Sequence, residues 1–310
     1  MNFYLMQSML YDKENLYSET DKYLFFLEKQ YSCFLDYINK NISNIYHYTS
    51  NKTIEKILKT STLRFTNINE LNDEYEFSYL FSVLFDRLPF YRMQYSKDFC
   101  DNLLDVCSNY CSEKYYYVSK YSKSSPERNF YVASFSLDND NLPLWTLYTK
   151  EKNFIGCNFG FDIKTLKNTE EINSSTISGI VIYSPEEQIK ILDELIATWY
   201  NYYEKISFEE YFKGDIHDAL YKYALFFKHP AFQHEKEYRY VYFPNDNDNI
   251  QELNNKHYID LKFSASDLIK SVKLSPTLKE DKHIQKMKKV FTKYKAKTEI
   301  FEISDIPFRN

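Results

Sequence analysis

Phe232-Gln233-His234-Glu235-Lys236-Glu237-Tyr238-Arg239-Tyr240-Val241-Tyr242-Phe243-Pro244 is the stretch whose reading decides the fold. From Glu235 onward it alternates: Glu235, Glu237, Arg239 and Val241 fall on one face of an extended chain, and Tyr238, Tyr240 and Tyr242 fall on the other. It reads as a loop that hands two carboxylates to the start of a strand. Two interpretations fit. A carboxylate pair at the mouth of a buried strand is equipped for chemistry, whereas an edge strand with a solvated Glu-Lys-Glu lip is ordinary surface. Arg239, on the carboxylate face, is either a phosphate contact or the internal counter-ion of the glutamates.

Two further strands carry polar residues in phase. Asn44 to Thr49 alternates, with Ile45, His47 and Thr49 on one side and Tyr46 and Tyr48 on the other. Asn129 to Ser136 places Ser134 and Ser136 two residues apart. Taken singly, a strand histidine is an ordinary core or rim residue, and alternate serines commonly satisfy a sheet edge. Whether His47, Ser134 and Glu237 converge on one cleft is the structural observation that weighs most, and side chains on opposite sides of the sheet would count against an enzyme.

Between these strands the periodicity is helical. Residues 12 to 40 carry an apolar stripe of Leu24, Leu27, Tyr31, Phe34 and Ile38, and Ser50 caps a short helix containing Ile54, Ile57 and Leu58. Leu63-Arg64-Phe65 reads as a short strand. A long helix capped by Asn72 or Asp73 is expected to bury Phe77, Leu80, Phe81, Leu84, Phe85 and Leu88, and to end or kink at Pro89. Further helices are expected from Lys97 to Lys120, around Leu144, Trp145 and Tyr148, and from Phe208 to Phe227. Ser184, Pro185 and Glu187 form a capping box that starts another after a strand at Gly179 to Tyr183. Strands at Phe154 to Phe161, Lys256 to Leu261, Ile269 to Leu274 and Thr298 to Ile303, with a helix near residues 279 to 294, complete the pattern. Gly156 and Gly160 point to close backbone packing more than to a phosphate loop.

Composition bounds the classes. With 310 residues, 4 Gly and 8 Pro, the chain has no linker-like tract. The expected division is an N-terminal helical segment, 1–42, and one α+β domain, 43–310. A net charge of -5 argues against bulk attraction to nucleic acid or anionic lipid. Lys262 to Glu299 nonetheless holds 11 Lys against 4 acidic residues, 11 − 4 = +7, and reads chiefly as a solvated helix face. Five cysteines without a CxxC, no leader at Met1 to Met9 and no membrane-length apolar run point to a cytoplasmic, non-membrane protein with reduced thiols. Cys100, Cys107 and Cys111 lie on one helix face without ligand-spaced His or carboxylate, so no metal is expected. The 19% aromatic content accompanies abundant Lys, Asn and Ile, a codon-bias signature that lowers the weight of single aromatics.

The order His, then aromatic-x-x-Ser-x-Ser, then Glu-x-Glu resembles the ADP-ribosyltransferase superfamily. The resemblance implies an α+β fold with a split mixed/antiparallel sheet, surrounding helices and NAD as substrate. It implies that His47 holds a ribose hydroxyl, with Tyr48 beside it in the cofactor site, that Ser134 and Ser136 brace the site, and that Tyr131 or Tyr148 stacks on nicotinamide. Glu237 would be the catalytic glutamate and Glu235 the acceptor-activating one, in a transferase with a protein or nucleic-acid acceptor or in an NAD glycohydrolase. Over residues 44 to 243 the chain also resembles a bacterial domain-of-unknown-function (DUF) family, two-nine-seven-one. Its landmarks are Tyr46-His47-Tyr48-Thr49, Leu63-Arg64-Phe65-x-Asn67, Asn72-Asp73-x-x-Glu76, Ser134-Phe135-Ser136, Trp145-x-x-Tyr148, Gly156-x-x-x-Gly160-Phe161-Asp162 and Lys228 with Glu235-x-Glu237-Tyr238-Arg239. That resemblance implies a toxin or phage-defence effector. Alternatives are a nucleotide-sensing or interaction module, with a partner protein at the N-terminal helices, and a nucleic-acid binder or nuclease.

Overall fold

The structure is a computed structural model. It describes residues 19–71, 73, 75, 77–111, 130–148, 156–167, 169, 176–203, 216, 219–245, 247–263, 269–278, 280–296, 298 and 300–307. The expectations for Met1 to Met9, residues 12–18, Asn72, Glu76, residues 112–120, Asn129, residues 154–155 and residues 208–215 lie outside these.

In chain order the helices are α1 Glu19–Ile38, α2 Asn51–Thr60, α3 Tyr79–Tyr91, α4 Lys97–Cys111, α5 Leu142–Tyr148, α6 Ile163–Lys167, α7 Pro185–Tyr203 and α8 Asp281–Lys293. The strands are β1 Asn44–Ser50, β2 Thr62–Asn67, β3 Tyr131–Ser136, β4 Gly156–Asp162, β5 Thr176–Ile180, β6 Glu237–Tyr242, β7 Gln251–Leu253, β8 Lys256–Lys262, β9 Ile269–Leu274 and β10 Ile300–Ile303. Two compact units share the chain, one from Met1–Lys40, Asp73–Pro126 and Ile182–Pro230, the other from Asn41–Asn72, Glu127–Val181 and Ala231–Asn310. This differs from the division at residue 42 read from the sequence, because α1 joins segments far along the chain.

The described part of the first unit is mainly helical, with α1, α3, α4 and α7. Phe34 of α1 lies 4.1 Å, ring to ring, from Tyr223, and Phe99 of α4 meets Tyr200 and Tyr203 at 5.2 and 5.3 Å. Arg87 and Tyr91 of α3 donate to the Asp193 carboxylate of α7 at 2.7 and 2.8 Å. α7 begins as its sequence dictates: the Glu187 amide donates to Ser184 Oγ at 3.4 Å. The Glu187 carboxylate instead accepts from the Tyr37 hydroxyl.

α3 departs from its reading at three places. The helix starts at Tyr79 rather than near Asp73, because the Asp73 carboxylate accepts the Tyr75 amide at 2.9 Å and closes a local turn. Pro89 sits inside the last turn, and the helix runs two residues past it to Tyr91. Phe85, expected in the buried stripe, is 45% exposed, while Leu80, Phe81, Leu84 and Leu88 are buried.

The second unit holds a mixed sheet with the order β10-β9-β4-β1-β3-β2-β8-β7, and with β6 on β3 and β5 on β6. β10 and β9 are parallel; the other pairs are antiparallel. β3 is the branch point. Along one edge it pairs with β6 through all of Tyr131–Ser136. Its other edge is shared: β2 takes Tyr131 and Val132, and β1 takes only Ser136. Between Val132 and Ser136 that edge carries neither ladder, so the sheet is split there. The split follows from β1 and β2 turning away to pair fully with β4 and β8 respectively.

The core of this unit gathers on one face. Phe135, Tyr238, Tyr240 and Tyr242 join Ile45, Phe65, Phe159 and Val272 in one buried cluster. Burying each large side chain of this kind is worth about 1.5–3 kcal/mol. Gly160 of β4 is required by packing: a Cβ there would lie 2.2 Å from Ser271 Oγ and 3.2 Å from the Tyr46 ring. β5 lies three residues earlier than the expected Gly179 to Tyr183, since its ladder partner is β6 from Thr176 to Ile180. α8 buries Met287 and Phe291 and turns Lys282, Lys286, Lys288, Lys289 and Lys293 to solvent, the solvated face expected of the lysine-rich segment.

Candidate functional site

β6 is buried at every position because it is the middle strand of β3-β6-β5. The expected alternation holds from Glu237 on. Glu237 pairs in register with Ser136 and Arg239 with Ser134, so these four side chains share the face opposite the aromatic core. Glu237 is 3% exposed and Arg239 is 0% exposed. Arg239 Nε donates to Glu237 Oε1 at 2.8 Å and its Nη2 donates to Oε2 at 2.9 Å. Ser134 Oγ donates to Oε1 at 2.6 Å. Arg239 is therefore the counter-ion of the catalytic candidate, and its assignment to ligand phosphate is corrected: the side chain is fully buried, with its fork closed on that carboxylate.

Glu235 does not continue the strand, which corrects the alternation expected across it. It ends a 3-10 turn, Pro230–Glu235, and Lys236 adopts φ 44, the left-handed region, before the strand begins. Four contacts hold this corner. Lys236 Nζ donates to Asp138 Oδ2 at 2.8 Å, the Leu137 amide to Lys236 O at 2.8 Å, Ser136 Oγ to Glu235 O at 2.8 Å, and Asn141 Nδ2 to His234 O at 2.8 Å. Burial would raise the Asp138 carboxyl, but bonds from Lys236, the Asp140 amide and Asn141 outweigh it and hold it below its ordinary range. Asn141 also caps α5, accepting the Leu144 amide on Oδ1 at 3.2 Å. The turn Asp138 to Asn141 thus places both the Glu235 corner and α5, which carries Tyr148.

A cavity of about 270 Å³ opens at the split. All five residues from Val132 to Ser136 line it, and so do His47, Tyr48, Tyr148, Glu235 and Glu237. Successive residues of one strand line a single cavity only where the strand edge is open. This explains how His47 reaches it. By register His47 leaves β1 on the face of Ile45 and Phe135, opposite Ser134 and Glu237, yet it borders the same gap. Its Nδ1 lies 3.3 Å from the Ser134 carbonyl. A carbonyl only accepts, so Nδ1 carries the hydrogen and Nε2 of the neutral ring is an acceptor. Burial pushes the imidazole below its ordinary value, partly offset by the Ser134 bond, so the neutral ring is the form at pH near 7.

The other candidates separate. Ser136 braces the Glu235 corner. Tyr48 is 5% exposed, with its hydroxyl donating to Asp138 O at 2.8 Å and accepting the Asn141 amide at 2.9 Å. Tyr148 is 46% exposed at the end of α5. Tyr131 lies away from the cleft, which corrects its place as a stacking candidate: it is 1% exposed, on the core face of β3, in the buried cluster. Sequence reasoning gave no site role to Arg64 and Lys256, which also line the cavity. Arg64 stood in a landmark, and Lys256 follows Asn254-Asn255, whose φ of 52 and 60 turns β7 into β8. Among the described residues no cluster of three metal-ligating side chains occurs, and no helix is long and apolar enough to cross a membrane.

The class defined by fold and site is an α+β protein with a carboxylate-bearing cleft at a sheet split. The model of a family described as "Protein of unknown function (DUF2971)" matches residues 144–240, about a third of the chain, and supports the resemblance to that family. The match spans the landmarks from Trp145 through Arg239; His47, Ser134 and Ser136 precede it. No curated protein and no solved structure matches the chain.

Proposed function

We propose that the split sheet is of ADP-ribosyltransferase type and that the cleft binds NAD, breaks its nicotinamide-ribose bond and passes ADP-ribose to an acceptor or to water. The observation that carries this reading is that His47, Ser134, Glu235 and Glu237 border one cavity at the split of β3. Glu237, ionised against Arg239 and steadied by Ser134, stabilises the positive charge that develops on the ribose. His47 Nε2 accepts from a ribose hydroxyl, and Tyr148 stacks on nicotinamide. The C–N bond breaks with its electron pair leaving on nicotinamide. The ribose carbon bonds the acceptor atom, and the acceptor's proton passes to Glu235. The family resemblance is the support for an effector role of toxin or phage-defence kind, with a protein or nucleic acid as acceptor.

The test is nicotinamide release from NAD. Glu237→Gln is expected to lower it by about 10²–10³-fold, the size of losing one well-placed group that stabilises developing charge. Equal release by wild type and variant overturns the reading. A second reading, a sensor that binds nucleotide without turnover, is favoured by the Arg239 fork, which occupies both oxygens of Glu237. Thermal stabilisation by NAD without nicotinamide release selects it.

A further inference from the structure

Arg239 is fully buried against Glu237 and is not among the residues that line the cavity, so phosphates bound in the cleft need other cations. Arg64 and Lys256 line the same cavity. Lys256 starts β8 two residues before Tyr258, whose partner Thr66 pairs with Val132, and the Arg64 guanidinium lies over the Tyr258 ring, whereas Glu237 lies at the β1 end of β3, opposite Ser136. Val132 to Ser136 spans about 13 Å of strand. The cleft is thus graded from carboxylates to cations. A ligand that touches both ends is several bonds long, with its anionic part remote from the ribose bond that Glu237 addresses.

The two cations differ in how they are held. Arg64 is fixed: its Nε and Nη2 donate to Asp260 at 3.0 and 3.1 Å, and its guanidinium carbon lies 3.4 Å from the Tyr258 ring centroid. Asp260 neutralises one charge, and the remaining edge of the planar fork keeps donors for an anion. Lys256 is exposed at the tip of the β7–β8 hairpin, and among the described residues no carboxylate pairs with it. It is an exposed point charge on the same cavity as a fixed fork, a suitable arrangement for two phosphoryl groups in sequence.

We propose that Arg64 and Lys256 form the diphosphate subsite of the cleft, so that its substrates are nucleoside diphosphate derivatives such as dinucleotides rather than mononucleotides or nucleosides. This rests on the reading of the cleft as a nucleotide site. The test is calorimetric titration of the full chain with ADP-ribose and with nicotinamide riboside, which lacks phosphate. Lys256→Glu, at an exposed position, and Arg64→Lys, which keeps the charge facing Asp260 but loses the fork, are compared with wild type after unfolding curves establish that both fold. Expected is a drop of about tenfold or more in ADP-ribose affinity in Lys256→Glu, steeper at low salt, with nicotinamide riboside affinity unchanged. Equal ADP-ribose affinity in wild type and both variants overturns the subsite, and so does a wild type that binds no ADP-ribose. ADP-ribose binding that is lost in Lys256→Glu, in a protein whose wild type releases no nicotinamide, upholds the subsite and overturns the transferase reading alone.

Discussion

The two faces of β6 are equally buried and opposite in chemistry. Tyr238, Tyr240 and Tyr242 add to the aromatic core, whereas Glu237 and Arg239 sink an ion pair into the sheet. Burying the rings drives folding. Burying the ion pair costs desolvation that its attraction roughly repays, so stability gains little from it. Strand alternation therefore sorts residues between faces without saying which face is core, and the costly face is the one that borders the cleft.

The largest effect that can break this comparison is on the polar face. Arg239→Leu strands a buried carboxylate and is expected to cost about 3–5 kcal/mol in urea unfolding. Adding Glu237→Leu should return most of that loss, because the stranded charge is gone. A double variant as unstable as the single one would mean that the pair holds the sheet together.

On the aromatic face, Phe135→Ala is expected to cost about 3 kcal/mol by the same measurement, the low end for phenylalanine truncation, because Phe135 also borders the cavity and water can enter. No rescue by a second deletion is expected there, which sharpens the contrast.

The smallest effect is the pH response of His47, where the two faces meet. Its folded-state pKa is depressed below the ordinary 6.5, so the unfolded chain protonates first as pH falls. The neutral ring's contribution is complete above about pH 6.5 and declines below it, toward the folded value. Urea midpoints between about pH 5 and 7.5 should fall more for wild type than for His47→Gln. Parallel curves would remove the half-buried neutral imidazole from the account.

Much of this was legible because the signals are local. Period-two alternation marks β1, β3 and β6, and Ser184-Pro185 opens α7. Where reading failed, a specific contact or facing had decided the outcome. Asp73 closes a local turn instead of capping a helix. Glu235 leaves the strand because Asp138, Asn141 and Ser136 hold its corner. Tyr131 and Ser134 are three residues apart in the aromatic-x-x-Ser-x-Ser order and face opposite ways, an assignment that a motif does not weigh but alternation enforces.

By itself the sequence determined that Glu237 and Arg239 share a face, that three strands carry the polar residues, and that the chain mixes helices with strands. These follow from backbone geometry, which repeats every two or 3.6 residues whatever lies beyond. Only the tertiary structure decided that β1 and β2 part along β3, and so that His47 borders the cavity of Glu237 from the other face. It also closed Arg239 on Glu237 and left Arg64 and Lys256 as the cleft's cations. Pairing choices among distant strands set these outcomes, and each is fixed by burial and ladder hydrogen bonds summed over the whole sheet.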